Sequence, residues 1–144
     1  MFDALLKRLT GPAPAPLPPE DARLALTALL VRIARSDGDY ADVEIAQISR
    51  IVAQRYELDE AATTDLLWEA EALEEQAPDT VRFTRSIKDA VPYEDRLAVV
   101  TAAWKVVMAD GKRMDEENAL MRLIASLLGV KDSHSHAERR KVSD

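Results

Sequence analysis

The strongest constraint on this chain is that its sequence repeats. Asp37-Gly38 recurs as Asp110-Gly111, a shift of 73 positions, and the same shift carries Asp42 to Asp115, Glu44 to Glu117, Ala46 to Ala119 and Ile51 to Ile124. The apolar residues ahead of the two turns correspond as well, with Leu26, Leu29, Leu30, Ile33 and Ala34 falling on Val99, Ala102, Ala103, Val106 and Val107. Their spacing is that of one helix face. Each copy therefore reads as helix, Asp-Gly turn, helix. Such a pair leaves an apolar face uncovered, so the two copies are expected to pack on each other, with the helices between them as bridges.

The rest of the chain fits the same plan. Only four glycines and 5% aromatics accompany an excess of Ala, Leu, Glu and Arg, a composition of helices rather than strands. After the first pair, whose second helix turns Ile45, Ile48, Ile51 and Val52 inward, Asp59 is a natural N-cap. The third helix then faces inward with Ala62, Leu66, Leu67, Ala70 and Leu73, and outward with an acidic run from Glu69 to Glu75. Asp79 or Thr80 caps a fourth helix burying Phe83, Ile87 and Val91, and Pro92 suits the first turn of a fifth that runs to about Ala109. A sixth spans roughly 114–128 and stops at Gly129. The predicted fold is all-α: a compact bundle of about six core helices with an internal pseudo-two-fold repeat, plus a short N-terminal helix. Trp68 and Trp104 are expected in or at the edge of its core.

Three segments follow. Residues 1–19 hold an amphipathic helix, with Phe2, Leu5, Leu6 and Leu9 on one face, and a proline-rich linker from Gly11 to Pro19 read as an extended spacer. The helix is too short to hold a bilayer, and docking onto its own domain is the expectation. Residues 20–130 form the helical domain, and 131–144 a polar, frayed tail. One domain suits 144 residues.

Charge and missing residue types narrow the function. A net charge of -7 opposes a nucleic-acid role, which needs a concentrated basic face, and favours cations or basic protein partners. Without cysteine there is no disulfide, thiolate metal site or cysteine nucleophile, which fits a cytoplasmic protein. Charges interrupt the N-terminal apolar run, so neither a signal peptide nor an integral membrane protein is expected. No glycine-rich phosphate loop or helical histidine accompanies the serines, so the chain is not read as an enzyme. His134, His136 and Glu138 form the one histidine cluster, in the tail, where transition-metal binding is the less common outcome.

The first turn carries the chemistry. Asp37, Asp39, Asp42 and Glu44 put four carboxylates within eight residues, and repulsion among them calls for helix amides, Arg32 and Arg35, or a bound cation. A hard cation such as calcium needs six to eight oxygens, several of which such a turn supplies. It is no EF-hand, since Ala41 and Asp42 stand at the fifth and sixth positions and Ile48 at the twelfth. The alternative is that the acids only cap helices, in a structural or adaptor domain that meets partners through the third helix or the N-terminal helix. In the second turn Asp110, Asp115 and Glu117 are accompanied by Lys112 and Arg113, which neutralise them locally. The candidate metal residues are therefore Asp37, Asp39, Asp42, Glu44, Asp110, Asp115 and Glu117, the first turn being the stronger.

The segments Ala34-Arg35-Ser36-Asp37-Gly38 with Glu44, and Met108-Ala109-Asp110-Gly111 with Glu117, resemble the TerB-like family of tellurite-resistance proteins over roughly residues 20–130. The resemblance implies an all-α fold with two related halves and acids clustered on one face. It also implies a link to tellurite or other stress responses, divalent-cation binding, and a role as an interaction module, often beside J-type co-chaperone domains. Ala41 and Met114 stand where the family often has a hydroxyl residue, so local capping differs.

Overall fold

A computed structural model describes residues 5, 7, 17–36, 42–77, 79–110 and 114–143; at 36, 42–44, 106–110, 114–120, 142 and 143 it describes the backbone alone. Among the described residues it is all-helical. Seven helices follow in order: α1 (Pro19–Ser36), α2 (Asp42–Tyr56), α3 (Glu60–Gln76), α4 (Thr80–Ala90), α5 (Tyr93–Asp110), α6 (Met114–Leu127) and α7 (Asp132–Ser143). Leu5 is also helical and lies buried in the core cluster. The linker before Leu17 lies outside the described residues.

α1 is the central post. Pro19 opens it, and Glu20 and Asp21 in its first turn favour the positive helix end. Its sequence reads as a stripe, yet every residue from Leu24 to Val31 is buried. The reason is coverage on several sides, since α2, α3, α4 and α6 all pack against it. Thr27, fully buried among them, keeps its hydroxyl satisfied by donating to the Arg23 carbonyl at 2.8 Å.

The other helices are placed by their apolar faces and their ends. Asp59 caps α3 by accepting from the Ala62 amide at 2.8 Å, and Asp79 caps α4 by accepting from Arg82. Phe83 and Ile87 of α4 are fully buried. α2 and α6 close in the same way. Glu57 (φ 53°) and Gly129 (φ 69°) take the left-handed conformation, and the next amides, Leu58 and Val130, donate back to the carbonyls of Ala53 and Ala125.

The C-terminal segment differs from its expectation. Residues 132–143 form α7, packed along α5, instead of a frayed tail. Few apolar residues mark this docking because its contacts are polar: Trp104 Nε1 donates to Ser135 Oγ (3.0 Å), Thr101 Oγ1 donates to Glu138 Oε1 (2.8 Å), and Arg139 lies over the Trp104 ring. α5 packs against α2 and α6 as well.

Candidate functional site

The side chains of the seven acids singled out in the sequence lie outside what the structure describes. For Asp37 and Asp39 nothing is described, and for Asp42, Glu44, Asp110, Asp115 and Glu117 only the helical backbone is. What is described is the ground beside the first turn. Arg32 and Arg35, in the last turns of α1, reach across to α3. Arg32 donates to the carbonyl (3.1 Å) and carboxylate (3.4 Å) of Glu74 and to Thr80 Oγ1, and Arg35 donates to the other Glu74 oxygen at 3.1 Å. Glu71 and Glu75 stand within 4.0 Å of Arg35. The acidic run on α3 is therefore not a uniformly exposed face: Glu74 within it is buried and bonded to both arginines, while Glu69 and Glu75 remain exposed.

On the outer side of α3 the structure corrects a second expectation. Trp104 is buried, but Trp68 is 75% exposed. Helical geometry explains it, because Leu67, Ala70 and Leu73 face the core and Trp68 does not share their side. Asp65 and Glu69 beside it are exposed too.

The histidine cluster is divided among local contacts. His134 Nδ1 lies 2.6 Å from the Tyr93 hydroxyl, which also accepts from the Lys131 amide, and Glu138 bonds Thr101 and Lys141. Those two bonds hold the Glu138 carboxyl below its usual range, the Lys141 contact contributing most. Among the described residues, no three His, Asp or Glu side chains are grouped to hold a metal ion.

A cleft of about 380 Å³ opens elsewhere, where the start of α1, the end of α2 and the start of α5 meet. Pro19, Ala22 and Leu26 give it an apolar side, and Arg23, Tyr56, Arg55 and Asp95 a polar one. The guanidinium carbons of Arg23 and Arg55 stand 5.6 and 4.8 Å from the centroid of the Tyr56 ring. Burial pushes the Tyr56 phenol up to about 12, against the opposing pull of the two arginines. The Tyr56 hydroxyl and Arg55 Nε are buried without hydrogen-bond partners among the described residues. No sequence motif marks this cleft, since its residues come from three helices far apart in the chain.

Buried Arg96 is a further residue that sequence reasoning missed. Its Nε donates to the Val91 carbonyl and its Nη1 to those of Leu128 and Gly129, so that a cation caps the negative end of α6. No helix among the described residues is long and apolar enough to cross a membrane. A family model described as tellurite resistance protein TerB matches residues 23–140, from within α1 into α7. No curated protein and no solved structure matches the chain.

Proposed function

The chain belongs to the TerB family of tellurite resistance proteins, and from that premise we propose that it is a non-enzymatic interaction module whose acid-rich end binds a divalent cation, calcium in preference, or the basic surface of a partner protein. The observation that carries this reading is a charge imbalance. Two arginines, Arg32 and Arg35, already serve Glu71, Glu74 and Glu75 of α3, and the turn that directly follows them adds Asp37, Asp39, Asp42 and Glu44. Seven carboxylates on two bases leave a surplus that an external cation relieves. The second turn, with Lys112 and Arg113, has less to offer.

The reading includes a duplicated architecture. In its favour, α1, α2 and α3 contact one another as α5, α6 and α7 do, α2 meets α5 and α1 meets α6, and α2 and α6 end in the same left-handed cap. The two three-helix units are then related by the shift of 73 positions at the turns and of 72 at these caps.

Thermal unfolding of chelator-treated protein with and without millimolar calcium, magnesium or manganese tests the cation. At 100 times the dissociation constant, binding adds about 2.7 kcal/mol, a rise of several degrees in melting temperature. No rise with any of the three removes the cation from the reading.

Exposed Trp68 favours a second reading, in which the acids cap helices and α3 is the adaptor surface. On that reading Trp68 emission shifts when a lysine- and arginine-rich peptide is added, with or without chelator; an unmoved spectrum in both conditions contradicts it.

A further inference from the structure

The end of α1 opposite the acid-rich turn mixes bases with acids, Arg23 and Arg55 beside Glu20 and Asp95. Arg23 and Arg32 are separated by about 14 Å along the helix, and at the Arg23 end two guanidiniums converge on one Tyr56 ring. Both guanidiniums line one cleft and call for counter-charge there. The cleft's own acids answer this poorly. Asp95 stands 3.8 Å from Arg55 Nη2, beyond hydrogen-bond distance, with its side chain 47% exposed, and Glu20 is exposed. Arg23 makes no ion pair among the described residues. The first turn of α1 lines the same space and presents its positive dipole end there. Among the described residues, the buried Arg55 Nε–H and Tyr56 O–H have no acceptor. A buried donor without an acceptor is unfavourable, and an acceptor that reaches it removes that cost.

We propose that this cleft binds a small organic oxyanion, a molecule that offers a carboxylate or phosphate group to Arg23 and Arg55 and an apolar body to Pro19, Ala22 and Leu26. Its oxygens accept from the Arg23 and Arg55 guanidinium groups that line the cleft, in place of the loose contact to Asp95. The volume of about 380 Å³ suits a ligand of metabolite size. The site is independent of the acidic turns.

Nuclear magnetic resonance on the full chain tests it, with the arginine Nε–H and Tyr56 ring signals as readout and benzoate and inorganic phosphate as probes. Benzoate carries the apolar body that phosphate lacks. The expected result is a saturable shift of the Arg55 Nε–H and Tyr56 signals at millimolar benzoate, with phosphate weaker. Affinity should fall about tenfold or more in Arg23→Gln and in Arg55→Gln, and persist in Asp37→Ala, which separates this site from the acid-rich end. Tyr56→Phe, which keeps both guanidiniums, should retain weakened binding and guards against a misfolded arginine variant. If neither probe gives a saturable shift, or if Arg23→Gln binds as the parent does, the proposal is overturned.

Discussion

Replacing Glu74 with glutamine tests the junction that supports the acid-rich end. The carboxylate is 8% exposed and accepts from Arg32 at 3.4 Å and Arg35 at 3.1 Å. Arg32 keeps the Glu74 carbonyl at 3.1 Å and Thr80, so its loss is small, whereas Arg35 exchanges a charged carboxylate acceptor at 3.1 Å for a neutral amide oxygen. Breaking a fully buried pair costs about 3–5 kcal/mol. Here the arginine side chains are 17% and 31% exposed, and water can take over part of the task, which lowers the expectation to about 2 kcal/mol. At about 2.1 cal/mol/K per residue, this chain unfolds with an entropy of about 0.3 kcal/mol/K, so the midpoint should drop by about 7 °C. Scanning calorimetry of Glu74→Gln beside Glu69→Gln, an exposed control on the same helix, reads the difference. A Glu74→Gln midpoint within about 1 °C of the control would refute the reasoning.

Other consequences follow from the described contacts. Gly129→Ala puts a methyl group 2.7 Å from Arg96 Nη1 and 2.8 Å from Lys88 Cε at a φ of 69°, and should cost about 2 kcal/mol or more in urea unfolding, whereas an unchanged midpoint contradicts the cap. The Tyr56 phenol, pushed up to about 12 in the fold from 10.0, keeps its proton where the unfolded chain loses it. Its stability contribution is thus full below pH 10 and declines toward pH 12, by about 1.4 kcal/mol at about pH 11. Tyr56→Phe should lack that decline, and equal alkaline losses in both proteins would contradict the burial. Trp68→Ala should change stability by less than about 0.5 kcal/mol while Trp104→Ala costs about 3–5 kcal/mol, so similar losses would place Trp68 in the core after all.

Local rules made much of the fold legible. Helix ends at Asp59, Asp79 and Gly129 came from residues whose own chemistry sets the backbone, and the faces of α2 and α4 from spacing alone. Three features were not legible because they depend on what other helices cover. α1 reads as one stripe but is sheathed on several sides, and Trp68 is apolar yet points outward. α7 reads as a polar tail because Ser135, Glu138 and Arg139 dock it by polar and cation–π contacts to α5. The acidic turns were legible as carboxylates in sequence; the partners of Arg32 and Arg35, which lie on α3 about forty residues away, were not. The Arg23, Tyr56 and Arg55 cleft is likewise a product of tertiary assembly, with no spacing to betray it.

The central claim is that surplus carboxylate at the acid-rich end binds a cation. Calorimetric titration of the chelator-treated chain with calcium measures it directly, beside the Asp37→Ala, Asp110→Ala double variant. Saturable binding to the parent chain is expected, with affinity falling by about tenfold or more in the variant as a carboxylate is removed from each turn. Absence of binding heat for the parent at millimolar calcium, or equal affinity in the two proteins, would contradict it.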